Sequence, residues 1–437
     1  MPASCHVFGE PIAHLSPNNS LPSTDHNKLK PALLLLTTTR WFPTARLAVA
    51  LARSGFSVEA ICPNDHPMRK TGAVTRFYAY DSLAPLASIE AALTATRKDL
   101  LVPGDDLATS LLRALHERSS KKNESICKLI ERSIGPAESF PYVCARAKLM
   151  KLASEEDIRI PRTEVARDLA RQVASEHLSF PMVLKVDGTS SGEGVRIVRS
   201  NEEAERAFKK LQAPPSIIRA LKRAIIDHDL KLVAPVLLRR KNTVNLQEFV
   251  QGRDATSLVA CWEGAPLAAL QFEVVKKQYA NGPASVMQRI DNAEMTSAAA
   301  KIIRRLRLSG LYGFDFLLEE RTGHAYLIEM NPRPTQVGHL NLGPGSDLPA
   351  ALYAAVTGQP LLETPAVTDS QTIALFPQEW TRNPASCFLQ SAYHDIPWDE
   401  PELIRAGTRK SNGFVSRYRG KKWAQILLAN RVPPAND

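Results

Sequence analysis

Three oxygen-bearing side chains, Asp315, Glu329 and Asn331, have the types and spacing to do chemistry. Asp315 lies between Phe314 and Phe316 in the apolar run 314–318, and Glu329 and Asn331 close a second apolar run, 325–330. The polar stretch 319–323 separates the runs and ends in Gly323, which suits a tight reversal, so the order is strand, turn, strand. Residues two apart on a strand share a face, so Glu329 and Asn331 look the same way, and pairing across the turn brings Asp315 to them. Two carboxylates and an amide oxygen make a hard, oxygen-only set suited to Mg²⁺, which also holds nucleotide phosphates. Alone, Asp315 would read as the polar edge of an ordinary hairpin; as a trio leading into Asn-Pro-Arg, the residues read as a site. Arg333 follows Asn331 by two residues and can grip a carboxylate or phosphate with two parallel N–H donors.

A second constellation lies upstream. Lys185 sits at the edge of an apolar strand in the run FPMVLKVDGTSSGEG, which enters the loop Gly188, Ser190, Ser191, Gly192, Gly194 before a further strand and a helix begun by Ser200 or Asn201. Glycines allow close backbone approach, and exposed N–H groups can cradle phosphate oxygens. The loop is not the GxxxxGK[ST] phosphate loop, and as a Gly/Ser hairpin loop it is a common feature.

Residues 31–118 must position whatever these groups act on. Short apolar strands alternate with helical patterns there, which predicts a parallel, Rossmann-like sheet. Such a sheet binds ligands at the carboxyl ends of its strands, making Arg40, Asp105 and Asp106 candidates for holding a substrate other than ATP. Asp105 and Asp106 read equally well as the start and cap of a helix. No GxGxxG follows the first strand, which argues against a dinucleotide.

The run IEMNPRP after an FDF strand resembles the metal-binding hairpin of the ATP-grasp superfamily, ATP-dependent ligases such as D-alanine–D-alanine ligase and biotin carboxylase. The resemblance implies an α/β chain with the ATP-grasp fold, two α+β subdomains gripping ATP, preceded by a Rossmann-like domain. The expected boundaries are a loose tail at 1–30, the Rossmann-like domain at 31–140, the small subdomain with the Gly/Ser loop at 141–250, the metal-binding subdomain at 251–360 and an extension at 361–437. It implies ATP held by Lys148 on a helix, Lys185 on a strand, the Gly/Ser loop as lid, and an adenine hinge at Gln247, Glu248, Phe249 and Val250. Asp254 would take the ribose hydroxyls. Gln247 stands where the family often has Glu, and Glu248 also reads as a solvent-facing hairpin residue. Arg289, then Lys277, are the expected contacts to the transferred phosphoryl group, with Arg333 beside the metals. Two Mg²⁺ ions, with Mn²⁺ as the substitute, would be held by Asp315, Glu329 and Asn331.

The implied function is a ligase that activates a carboxylate as an acyl phosphate and joins it to an amine, releasing ADP and phosphate. The alternatives are a bicarbonate-using carboxylase or carbamoyl-phosphate-like subunit, or a non-catalytic ATP-binding protein. Small-molecule carboxylate and amine partners follow from the ligase reading, with a homodimer as the default assembly.

Bulk properties narrow the class. With 437 residues, two to four domains are expected. The net charge of +10 comes from Lys and Arg spread along the chain without interleaved aromatics, which favours attraction of an anionic nucleotide over nucleic-acid binding. No apolar run is long enough for a membrane span, and the N-terminus lacks the basic start and apolar core of a signal peptide. Six scattered Cys without a CxxC pair indicate thiols in a reducing, cytoplasmic setting. The basic segment 212–243 reads as a helical insertion, and the tail beyond 361 carries no assignable chemistry.

Overall fold

A computed structural model describes residues 30–120, 123–166, 180–186, 194–214, 242–280 and 282–408. It contains three sheets. The first is parallel, in the order β3-β2-β1-β4, with β1 Ala32–Leu36, β2 Ser57–Cys62, β3 Val74–Ala79 and β4 Leu100–Pro103. Four consecutive leucines in β1 are buried because each face has its own cover. Leu33 and Leu35 join the core of the helix Phe42–Arg53, whereas Leu34 and Leu36 join Ile89, Leu111, Leu112 and Leu115 from two helices on the other side. Strand periodicity of two, with helices on both faces, explains an unbroken apolar run.

The second sheet is antiparallel, in the order β5-β8-β6-β7, with β5 Thr163–Val165, β6 Met182–Val186, β7 Val195–Val198 and β8 Val244–Glu248. The helix Asn201–Gln212 packs on it. Ser200 is its N-cap: the hydroxyl accepts from Glu203 N at 3.3 Å while the Glu203 carboxylate accepts from Arg199 N at 2.8 Å. The insertion expected at 212–243 lies almost wholly outside the described residues.

The third sheet has seven strands in the order β13-β12-β9-β10-β11-β14-β15. These are β9 Gly252–Trp262, β10 Ala265–Lys277, β11 Ala284–Arg289, β12 Gly310–Glu319, β13 Ala325–Asn331, β14 Thr372–Leu375 and β15 Tyr393–Asp395. β9 and β10 turn at Glu263-Gly264, the expected place, with both residues at positive φ (49° and 85°), as a two-residue hairpin loop requires. One face of the sheet packs on the helix Ala293–Leu306 through Phe314, Phe316, Ile302 and Ile303. The other packs on the segment holding Val337, Leu340 and Leu342, and through it on Leu47 of the first helix.

Two strands from the described part of the segment beyond 361 join the sheet: β14 pairs antiparallel with β11, and β15 parallel with β14. β15 is also tied to the first helix. Buried Asp395 accepts from Arg46 Nη2 at 2.7 Å and lies 2.7 Å from His339 Nε2.

Among the described residues, no helix is long and apolar enough to cross a membrane. Cys62, Cys127 and Cys261 are buried free thiols, and Cys387 is exposed.

Candidate active site

The β12–β13 hairpin does what the spacing of its polar residues suggests, through a device the spacing does not reveal. Asp315 pairs in register with Glu329, and Gly313 with Asn331. Between Asp315 and Phe316 the register shifts, because Phe316 pairs with Leu327 and leaves Ile328 as an extra residue in β13. This bulge resets the alternation. Ala325 and Leu327 point into the core, as does Met330, so Glu329 and Asn331 turn to the opposite face with Asp315. Without the extra residue, positions 325, 327, 329 and 331 would all share the core face. Gly313 clears the ground beside Asn331: a Cβ there would lie 2.4 Å from Thr335 Cγ2 and 3.4 Å from Asn331 Cβ.

Within the trio, Asn331 Nδ2 donates to Asp315 Oδ2 at 2.8 Å. Burial raises the Asp315 carboxyl above its usual range, against the pull of the Asn331 bond and the Arg333 charge. Burial likewise raises Glu329, with the neighbouring Asp315 adding to the effect and Arg146 opposing it. Two half-buried carboxylates, Asp315 raised by burial and the Asp254 charge and Glu329 by burial and the Asp315 charge, are short of positive charge, which is the condition a divalent cation relieves. The donors are all hard oxygens, so the residues fit Mg²⁺. Among the described residues no group of three His, Cys, Asp or Glu converges. Such an ion would complete its shell from phosphate oxygens and water, as Mg²⁺ commonly does.

Cations surround the pair. Arg146, the first residue of the helix Arg146–Glu155, places Nη2 2.7 Å from Glu329 Oε1, and its buried Nε has no partner among the described residues. The sequence pointed instead to Lys148, which is exposed. Two residues along a helix turn the side chain by roughly 200°, so the two cannot serve the same face. The feature that could have found Arg146 is its place in the opening turn of that helix.

Lys185 on β6 is only 8% exposed. Its ammonium is pulled down to about 8, first by burial and then by Arg146, with Glu329 and Asp254 opposing. These mutual influences bring Lys185, Arg146, Glu329 and Asp254 into one electrostatic neighbourhood. Gly194 closes the loop after β6 by accepting from Val186 N at 3.0 Å. Gly188, Ser190, Ser191 and Gly192 lie outside the described residues.

The residues expected to form a hinge lie at the end of β8 and just after it. Gln247 is buried and donates to Thr163 Oγ1 at 2.8 Å, while exposed Glu248 accepts from Arg162 N at 3.2 Å. Phe249 is half-buried and Val250 buried. Asp254 on β9 pairs with Lys277 on β10 at 2.7 Å and raises the Asp315 carboxyl by its charge, so it stands near the acidic pair as well as beyond the hinge. Arg289, at the end of β11, donates to the Leu342 carbonyl at 2.9 Å and so braces the segment after the hairpin.

Arg333 reaches the Rossmann-like layer. Its Nε donates to Asp106 Oδ1 at 3.1 Å, and its guanidinium lies over the Trp41 ring, 5.4 Å from the centroid. Asp105 is the cap that one of the two sequence readings foresaw. Buried, it accepts from Thr37 Oγ1 (2.8 Å), Thr38 N (2.6 Å), Thr38 Oγ1 (2.9 Å) and Ala108 N (2.9 Å), which commits it to the loop after β1 and the next helix. Arg40 pairs with Asp65 at the surface.

Comparison with known proteins bears on the fold that carries these residues. A model of the ATP-grasp domain matches residues 235–337. The chain is 26% identical over 255 residues to the formate-dependent phosphoribosylglycinamide formyltransferase of Ignicoccus hospitalis, a match covering 56% of this chain and 58% of that enzyme's length. The corresponding protein of Burkholderia pseudomallei is 26% identical over 331 residues, 73% of this chain and 74% of that one. Among solved structures, N5-carboxyaminoimidazole synthetase from Staphylococcus aureus with ADP aligns at TM-score 0.53 and 16% identity, over 77% of this chain and 80% of that one. Biotin carboxylase from Campylobacter jejuni, in complex with a β,γ-ATP ligand, aligns at 0.55 and 16%, over 76% and 72%. The biotin carboxylase domain dimer of Hydrogenobacter thermophilus 2-oxoglutarate carboxylase, with MgADP and bicarbonate, aligns at 0.54 and 14%, over 78% and 72%. The fold is the ATP-grasp fold, preceded by a Rossmann-like parallel sheet.

Proposed function

We propose that this protein is an ADP-forming ligase that activates a carboxylate with ATP and joins it to an amine. The observation that carries the reading is the Asp315–Glu329 pair, set in register by a bulge and flanked by Arg146, Lys185 and Arg333. In it, Lys185 and Arg146 hold the nucleotide phosphates, with Arg146 taking the helix position the sequence assigned to Lys148. Residues 247–250, at and just after the end of β8, border the adenine, and Asp254 the ribose. Lys277 and Arg289 are the remaining candidates for the transferred group. Asp315, Glu329 and Asn331 hold two Mg²⁺ ions, or Mn²⁺ in their place; bound there, the metal neutralises phosphate charge and polarises the γ-phosphoryl group.

The chemistry follows from charge. A carboxylate oxygen bonds to the γ-phosphorus as the bond to the β–γ bridging oxygen breaks, and ADP leaves. Approach of two anions is unfavourable, and fixed cations lower that barrier without reorganising. The amine nitrogen then bonds to the acyl carbon, the carbon–oxygen bond breaks, inorganic phosphate departs and the amine proton passes to solvent. Exclusion of water protects the acyl phosphate, with the 188–194 loop as the lid.

The domain limits expected from the sequence, 31–140, 141–250, 251–360 and 361–437, belong to this reading, as do a homodimer and a cytoplasmic setting. The buried free thiols support that setting, and light scattering tests the assembly. Formate, named in the relatives' activity, and bicarbonate, bound in one structural neighbour, are the first carboxylates to try. Formate- or bicarbonate-stimulated release of ADP from MgATP, lost in Glu329→Gln, is the expected result. Full turnover in Glu329→Gln would remove the metal assignment. ATP binding without any stimulated ADP release across a wider panel of acids would favour a binding protein.

A further inference from the structure

Arg333 is held from the Rossmann-like layer rather than from its own strand. Thr109 and Asp106 lie on the helix Asp106–Ser119. Thr109 Oγ1 donates to the Pro332 carbonyl at 2.8 Å, fixing the backbone just before Arg333, and Asp106 accepts from Arg333 Nε. From the other strand end, Trp41 precedes the helix Phe42–Arg53 with extended backbone and lays its ring against the guanidinium. The Arg333 side chain is 17% exposed. Its terminal nitrogens make only long contacts: Nη1 to the Pro334 carbonyl at 3.4 Å and Nη2 to Asn331 Oδ1 at 3.5 Å. Those lie beyond ordinary hydrogen-bond length, whereas the Nε bond lies within it.

The Trp41 ring centroid lies 5.4 Å from the guanidinium carbon, within cation–π range, and a contact with the ring face consumes none of the N–H donors. Asp106 takes the Nε donor, so the edge formed by Nη1 and Nη2 is the part left for a strong partner. Two parallel N–H donors on that edge match a carboxylate. The edge also lies beside Asn331 and acts by its charge on Asp315, so a carboxylate held there would adjoin the metal hairpin.

We propose that Trp41 and Asp106 are positioning residues that hold the Arg333 guanidinium with its Nη1–Nη2 edge presented to the substrate carboxylate. The proposal rests on the ligase reading for the identity of that ligand, but the holding of Arg333 can be tested without it. Trp41 contributes more than Asp106, because the Asp106 carboxylate is 40% exposed and its ion pair correspondingly screened.

The first measurement is the rate at which phenylglyoxal modifies Arg333, read by peptide mass spectrometry on the full-length folded protein. Trp41→Leu should raise that rate about fivefold, Asp106→Asn should raise it less, and Trp41→Phe, which keeps an aromatic face, should stay near wild type. Equal rates in wild type, Trp41→Leu and Asp106→Asn would overturn the proposal. If Trp41→Leu fails to fold by circular dichroism, Asp106→Asn and Trp41→Phe decide it alone.

The second measurement uses formate and bicarbonate as probes in ADP release. The concentration of the effective acid at half-maximal rate should rise about tenfold in Trp41→Leu and be restored in Trp41→Phe, while KM for MgATP moves less than about twofold. A parallel rise in KM for MgATP would overturn it, as general damage to the site. A wild-type protein that binds MgATP but responds to no acid would defeat the ligase reading, and with it the carboxylate as the ligand. The phenylglyoxal rates would still decide whether Trp41 and Asp106 hold Arg333.

Discussion

Glu329 and Arg146 stand 2.7 Å apart, a carboxylate near the end of β13 met by the guanidinium that opens the helix Arg146–Glu155. The contact links the β12–β13 hairpin to the segment leading into the smaller sheet, and it places a permanent positive charge beside Glu329, where the proposed site takes nucleotide phosphates. Arg146→Met should weaken MgADP binding by about tenfold or more, since a charge-assisted bond carries roughly 1.5–3 kcal/mol. Lys148→Met should leave it within about twofold, as expected for an isolated surface charge. Isothermal titration of both variants separates them, and the reverse ranking would restore the reading drawn from sequence spacing.

Lys185 gives the site a pH signature. Burial and the Arg146 charge lower its ammonium from 10.5 to about 8. Between these values the unfolded chain binds more protons than the folded one, so Lys185 makes stability rise with pH across that window. The melting temperature of wild type relative to Lys185→Met should therefore climb from pH 8 to pH 10. Over the same range MgADP affinity of the wild type should fall as the ammonium is lost, with the fall absent in Lys185→Met. A flat difference in melting temperature would mean that the ammonium is not buried as described.

Asp105 is a structural residue on this geometry. It accepts from three backbone N–H groups, of Thr38, Thr39 and Ala108, and from the Thr37 and Thr38 hydroxyls, and caps a helix through the Ala108 N–H. Asp105→Ala would strand several of these donors, at a cost of about 3 kcal/mol or more in denaturant unfolding. An Asp105→Ala protein of wild-type stability with a raised KM for the second substrate would return Asp105 to the list of ligands.

Gly313 allows the hairpin to carry its polar trio. Gly313→Ala would drive a methyl group into Thr335 at 2.4 Å and crowd Asn331. Overpacking of this kind typically costs about 1–3 kcal/mol. Turnover should fall more than stability, because the displaced atoms belong to the segment between Asn331 and the loop that follows. Unchanged kinetics with unchanged melting would show that Thr335 relaxes freely.

Local pattern carried much of the architecture. The four leucines of β1, the Ser200 cap, the Glu263-Gly264 turn and the two runs that become β12 and β13 were legible because each depends on neighbours within a few residues. The three polar residues were legible as interruptions of apolar runs, but spacing alone would have left Glu329 and Asn331 on the core face, away from Asp315. The strands beyond 361 were not legible: β14 is a short strand whose place beside β11 depends on a partner more than eighty residues away, and β15 in turn depends on β14.

The sequence by itself determined which oxygen ligands, basic residues and Gly/Ser loop this protein can bring to a nucleotide, and in what order along the chain. Only the tertiary structure decided that Ile328 would bulge and turn Glu329 away from the core, that Arg146 rather than Lys148 would face it, and that Trp41 and Asp106 would hold Arg333. The physical reason is range. Strand and turn preferences act between adjacent residues, whereas register shifts, helix facing and contacts between layers are settled by packing and charge among segments far apart in the chain.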